Sequence, residues 1–157
     1  GAKYNQLEAH ACDRRSGRTA RRVDVWRPVL HWTEELVWEV LEKHRVSPPV
    51  PYRLGWSRSS CMTCIYNSPR VWATIKHYWP ERVMSIARYE QSFGVTVSRK
   101  RIDVLDFGAG VSPIRISDVD ALNQVSMEQY VLPVLVPAGQ KWETPPGAFG
   151  REACGSD

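Results

Sequence analysis

Proline limits this chain more than any other residue. Eleven prolines occur in 157 residues. Each fixes φ and removes a backbone donor, so no long helix or central strand runs through one. Pro28 confines any strand that begins near Arg22 to an edge or an end. Pro48, Pro49 and Pro51 enforce an extended connector, and Pro69 and Pro80 suit the first turns of two successive helices. The longest apolar stretch, Tyr130 to Ala138, is broken by Pro133 and Pro137 and falls well short of the roughly 20 residues a membrane span requires. The chain opens Gly1-Ala2-Lys3-Tyr4-Asn5, with no initiator Met and no basic stretch followed by an apolar run, so no export signal is read and the expected location is cytoplasmic. With 43% hydrophobic and 24% charged residues and a mean hydropathy of -0.39, the composition is that of a globular domain of ordinary size, and global disorder and fibrous repeats are excluded.

Periodicity predicts an α-rich α+β fold with few short strands. Residues 3 to 10 read as the end of a helix, and Arg22 to Leu30 as a strand in which Val23, Val25 and Val29 give β-branched alternation. The clearest helix runs from about 33 to 44: Thr33 is a suitable N-cap, Glu34 and Glu35 face the positive end of the dipole, and Leu36, Val37, Val40 and Leu41 recur at helical spacing. Residues 53 to 60 read as a polar loop leading into Cys61. A helical pair follows, carrying Val71, Trp72 and Ile75 and then Val83, Met84, Ile86, Ala87 and Tyr89, with Gly94 closing it. Beyond it lie candidate strands at 95–97 and 102–105, a candidate helix from Asp118 to Tyr130, and a Pro/Gly-rich tail. The seven tryptophans (26, 32, 38, 56, 72, 79 and 142) read as core and lid residues rather than base-stacking platforms.

Chemistry concentrates in three places. Cys61-Met62-Thr63-Cys64 puts two thiols on one tight turn, where they can point at a single tetrahedral site. Two thiolates make half a site, so zinc or an iron-sulfur cluster would need Cys12, Cys154, a histidine such as His10 or His77, or a partner's thiols. The residues alone leave open a ligand pair, two small buried thiols, or a redox dithiol. Cys154 lies in a glycine-bearing tail able to swing a thiol into a site, or stands there as an incidental surface thiol. Arg14, Arg15, Arg18, Arg21, Arg22 and Arg27 crowd a segment whose only acidic residue is Asp24. With a net charge of +4 and a pI near 9.0, that density suits phosphate or sulfate oxygens, or is a solvated face. Asp106-Phe107-Gly108 matches a fragment of a kinase signature, but nothing else of that set is present.

The stretch from Trp26 to Leu41, with Arg27-Pro28, Trp32 and Trp38, resembles the "R-P-L-x-x-W-x-x-x-D-V-W" segment of the phosphoadenosine phosphosulfate (PAPS) reductase family. Pro51 to Cys64 resembles that family's "H-P-x-Y-x-x-G-x-x-x-x-x-C-x-x-C", and Glu152-Ala153-Cys154-Gly155 is similar to its terminal "E-C-G-x-H", with Ala153 inserted and the histidine missing. The closest likeness is to PAPS-reductase-like proteins of phages and mobile elements, strongest over residues 22 to 93. The resemblance implies the helical C-terminal portion of a Rossmann-type enzyme. Its Ser-Gly-Gly-x-Asp-Ser nucleotide loop does not occur in these residues, so a nucleotide-binding half is expected to precede them and these residues alone are expected to bind no nucleotide.

The same resemblance assigns roles. Cys61 and Cys64, with Cys12 as a further candidate, would hold a [4Fe-4S] cluster or zinc. Arg14, Arg15, Arg18, Arg21 and Arg22 would neutralise the substrate's phosphate or sulfonate. Cys154 would attack the sulfonate sulfur to give S-sulfocysteine, which a thioredoxin-like reductant releases as sulfite. The implied organisation is a basic leading segment over 1–21, a PAPS-reductase-like domain over 22–98, and an extension with its tail over 99–157. The expected activity is a sulfonucleotide reductase or sulfurtransferase. The competing expectation is a zinc-stapled module that docks on nucleic acid or protein without catalysis; no membrane partner is expected in either case.

Overall fold

The computed structural model describes residues 10–14, 21–25, 27–98 and 100–150. They fall into two compact units that divide between Val40 and Leu41. In the first unit, β1 (His10–Arg14) and β2 (Arg21–Val25) pair antiparallel, with Cys12 opposite Val23, Asp13 opposite Arg22 and Arg14 opposite Arg21. His10 therefore begins a strand where a helix end was predicted, and the rest of that predicted segment lies outside the described residues. The strand predicted from Arg22 to Leu30 stops at Val25. Residues 28–31 turn instead, with the Leu30 N–H donating to the Arg27 carbonyl (3.2 Å) and the Trp32 N–H to the Val29 carbonyl (3.1 Å). Pro28 has no N–H with which to extend a ladder.

Helix α1 (Glu34–Lys43) forms as its sequence predicts. Thr33 caps it, its hydroxyl accepting the Leu36 N–H at 3.3 Å. A backbone N–H bond and the Thr33 hydroxyl hold the Glu35 carboxyl below the usual carboxylate range. Its apolar residues are less covered than periodicity implies: Trp38 is buried, while Leu36 and Val37 stay exposed.

The end of α1 belongs to the second unit and has a specific lock. The Val46 N–H reaches back to the Leu41 carbonyl and the Arg45 N–H to the Glu42 carbonyl, both 2.9 Å. This is a Schellman closure, which needs a left-handed residue at the position of Arg45; its φ is +54°. A side chain in that conformation costs about 1–2 kcal/mol relative to the right-handed form. The Arg45 guanidinium offsets this by donating to the carbonyls of Val136, Pro137 and Gln140, at 3.3, 2.8 and 2.8 Å. Next to it Val46 bridges Leu135 antiparallel, and the Trp142 indole N–H donates to the Val46 carbonyl at 2.8 Å.

The core of the second unit is a helical pair. Ser68 caps α3 (Pro69–Tyr78) by accepting the Val71 N–H, and α4 (Pro80–Phe93) closes on Gly94 at φ +64°. Trp79 alone separates them, because Pro80 cannot donate to the α3 ladder and restarts the chain as the first residue of α4. Val71, Trp72 and Ile75 from α3 and Val83 and Ala87 from α4 pack with Leu54, Trp56, Trp79, Val104 and Ala121. Burying a side chain of valine or leucine size contributes about 1.5–3 kcal/mol, which makes this cluster the main source of stability.

The described residues between 94 and 117, expected to hold strands at 95–97 and 102–105, carry no strand, and residues 104–110 turn. The buried Glu90 carboxylate takes the N–H groups such strands would spend on a ladder: Val97 donates to Oε1 (2.6 Å) and Val104 to Oε2 (2.8 Å). Asp103 accepts from the Leu105 N–H at 2.7 Å, an Asx turn. Buried Thr74 does the same service further on, donating to the Arg70 carbonyl and accepting the Ile114 N–H, both 2.8 Å. The predicted helix from Asp118 to Tyr130 ends early, as α5 (Val119–Val125). The Gln124 side chain explains the stop, because it accepts the Val131 N–H and donates to the Gln129 carbonyl, both 2.8 Å, turning the chain back. A short helix α2 (Val50–Arg53) sits against α5, and Arg53 forks onto Asp118 at 2.7 and 2.9 Å.

Two outcomes follow from these locks. Arg45→Ala keeps the left-handed strain and loses the carbonyl bonds, so it should destabilise the protein by about 1–3 kcal/mol in urea unfolding, and Arg45→Gly should recover roughly 1 kcal/mol of that loss. Asp118 is partly desolvated, which raises its pKa, but the Arg53 hydrogen bonds, the Ala121 N–H and the Arg53 charge outweigh this and leave it below the ordinary value of 3.8. Its contribution is therefore complete above that value and disappears as pH falls through the lower folded-state pKa. Acid titration of the wild type should show this loss, and Arg53→Met should flatten it.

Candidate cysteine site

The loop that leaves α2 begins inside the core and ends at the surface. Leu54 and Trp56 are buried, the Trp56 N–H donates to the Pro51 carbonyl at 2.9 Å, and the Trp56 ring stacks on Trp79 with centroids 6.1 Å apart and 25° between planes. The stretch predicted as a polar loop is thus anchored by its two apolar residues. Gly147 seals its base. Its N–H donates to the Tyr52 carbonyl at 2.9 Å, and a Cβ there would stand 2.1 Å from the Trp56 carbonyl oxygen, so only glycine fits.

Past Arg58 the chain makes a tight turn over the cysteines. The Cys64 N–H donates to the Cys61 carbonyl (3.1 Å) and the Asn67 N–H to the Cys64 carbonyl (3.0 Å). Buried Asn67 fastens the turn from beneath, its amide donating to the Met62 carbonyl at 2.6 Å. Cys61 is exposed, Cys64 half-buried, and both are free thiols. Arg58 folds back across them: one guanidinium nitrogen donates to the Cys64 sulfur at 2.8 Å, and the group lies 5.7 Å from the centre of the Tyr66 ring.

The other sequence-predicted residues belong to other segments of the chain. Cys12 and His10 lie in β1, and Arg14, Arg21 and Arg22 in the β1–β2 hairpin, all in the first unit. Arg15, Arg18 and Cys154 lie outside the described residues. His77 is exposed in the last turn of α3, its ring edge-on to Tyr78 at 4.7 Å. Among the described residues no group of three or more His, Cys, Asp or Glu side chains gathers at one point. Among the described residues the cysteine turn thus offers two free thiols and no third candidate ligand beside them. Sequence reasoning missed Arg58 and Asn67, while Trp56, read as a core or lid residue, is buried in the core. Arg58 had one linear signal, a lone arginine three residues before the first cysteine, but nothing in the order of residues says that it bends back onto the sulfur six positions on.

Comparison with known proteins adds one relative. Over 67 residues the chain is 37% identical to an uncharacterized 37.8 kDa protein of the gpa 5′ region of Escherichia phage 186, a match covering 43% of this chain and 20% of that protein. The chain thus spans about one fifth of the relative's length. No family model and no solved structure matches. Among the described residues no helix is long and apolar enough to cross a membrane.

Asn67 offers a direct check on the turn. Asn67→Ala removes the amide donor to the Met62 carbonyl and should destabilise the protein by about 1–3 kcal/mol. Asn67→Asp, which keeps the shape but not the donor, should be no better; a near-neutral result for both in urea unfolding would separate the turn from this bond.

Proposed function

We propose that the chain is the C-terminal part of a PAPS-reductase-like sulfonucleotide reductase or sulfurtransferase, in which Cys61 and Cys64 hold a metal ion or an iron-sulfur cluster. The observation that carries this reading is the 61–64 turn: two free thiols on one tight loop, pinned by Asn67 and faced by Arg58. Its support from sequence is the likeness of residues 51 to 64 to the family's Cys-x-x-Cys segment. The match to a phage protein agrees with the mobile-element type.

In this reading the paired thiolates tether the loop, and Arg58 balances the negative charge they carry. Cys12 is a candidate further ligand. Arg14, Arg15, Arg18, Arg21 and Arg22 neutralise phosphate or sulfonate, and the nucleotide itself is held by a preceding half. Cys154 is the thiol nucleophile, reduced afterwards by a thioredoxin-like partner.

Metal analysis of anaerobically purified full-length protein tests the proposal. Iron or zinc should copurify with the wild type and be lost from a Cys61→Ser/Cys64→Ser variant that keeps its far-ultraviolet circular dichroism. Neither metal above trace level in the wild type would overturn it.

A further inference from the structure

Cys61 and Cys64 stand as free thiols on a backbone that already suits a bond between them. The Cys64 N–H donates to the Cys61 carbonyl at 3.1 Å, and a four-residue turn closed in this way holds its end Cα atoms less than about 7 Å apart. A disulfide asks for about 4.4–6.8 Å between Cα atoms, so side-chain rotation is the main movement required. Asn67 holds the same turn through its amide on the Met62 carbonyl and its N–H on the Cys64 carbonyl. Among the described residues of the second unit these are the only two cysteines.

The two sulfurs are not equivalent. Cys61 is exposed, and it lines a cavity of about 90 Å³ together with Trp56, Arg58 and Met62. Cys64 is half-buried, and its sulfur accepts an Arg58 guanidinium N–H at 2.8 Å. Thiol–disulfide exchange depends on access to the sulfur, so Cys61 is the one that a reagent in solution meets first.

We propose that this pair is a reversible dithiol–disulfide site, in which Cys61 exchanges with a low-molecular-weight disulfide such as oxidised glutathione and Cys64 resolves the product. In the first step the Cys61 sulfur attacks the glutathione disulfide. That S–S bond breaks, a mixed disulfide forms on Cys61, and one glutathione leaves with the proton that Cys61 gave up. In the second step Cys64 attacks the Cys61 sulfur. The mixed disulfide breaks, the 61–64 bond forms, and the second glutathione leaves with the proton from Cys64. Two protein thiols are oxidised and one glutathione disulfide is reduced to two thiols; excess reduced glutathione runs the sequence backward. The proposal adds a control to the metal reading without resting on it, because closing the bond removes both thiolate ligands at once.

The full-length protein as purified, equilibrated in glutathione mixtures of increasing oxidised fraction, alkylated and mapped by mass spectrometry, tests the pair. In the wild type both cysteines should lose alkylation together, the peptide carrying them should become two hydrogens lighter with no lasting glutathione adduct, and excess reduced glutathione should restore both thiols. Cys64→Ser should trap glutathione on Cys61, and Cys61→Ser should take glutathione on Cys64 at least about tenfold more slowly, as restricted access implies. The wild-type map decides the matter even where a variant fails to fold. Alkylation of both cysteines in the most oxidising mixture, a lasting adduct on wild-type Cys61 beside a free Cys64, linkage of either to Cys12 or Cys154, or faster reaction at Cys64 would each overturn the proposal. Disulfide closure in a sample that never held iron or zinc leaves this site standing and removes the metal reading; bound metal that keeps both thiols reduced throughout does the reverse.

Discussion

The stack of Trp56 on Trp79 is the contact on which the arrangement of the second unit turns. Trp79 sits at the break between α3 and α4, the only residue between two proline-started helices. Trp56 is the last core residue before the loop that carries Cys61 and Cys64. Joining them ties the start of a surface turn to the junction of the helical pair, so the cysteines take their position from apolar packing together with the turn's own hydrogen bonds. Trp56 also lines the cavity beside Cys61.

Much of the unit beyond α4 is irregular, and irregular backbone near a core needs acceptors for its N–H groups. The chain supplies them from helix side chains. Glu90 serves Val97 and Val104, Thr74 serves Ile114, and the Tyr78 hydroxyl accepts the Ile116 N–H at 3.2 Å. The ammonium of Lys76 donates to the Leu105 carbonyl; burial lowers its pKa, against the opposing pull of Asp106 and Asp103. These polar residues lie on the same two helices that carry the core, so one surface supplies both the apolar contact and the hydrogen bonds that fold the later segments onto it. Residues from 102 to 142 thus belong to the same packed body as the helical pair.

Legibility differed sharply between helices and loops. Caps, prolines and 3.6-residue spacing located α1, α3 and α4 within a residue or two, because those signals act over one turn of chain. The candidate strands at 95–97 and 102–105 carried β-branched residues, yet propensity could not reveal that a buried carboxylate would take their donors. At the candidate site, the paired cysteines and their turn were evident from spacing. The guanidinium on the sulfur and the asparagine beneath the turn were not.

By itself the order of residues determined the boundaries of α1, α3 and α4, the breaks at Pro69 and Pro80, the exclusion of a long apolar span from Tyr130 to Ala138, and the closeness of Cys61 to Cys64. All are consequences of covalent restriction or of neighbours a few positions apart. Only the tertiary structure decided that Leu54 is core, that Arg45 accepts a left-handed backbone in exchange for three carbonyls some ninety residues away, and that Arg58 lies over Cys64. Each of these depends on groups distant in sequence meeting in a space from which water has been largely removed, where an unmet donor or an empty volume is expensive. That condition exists only once the core has formed.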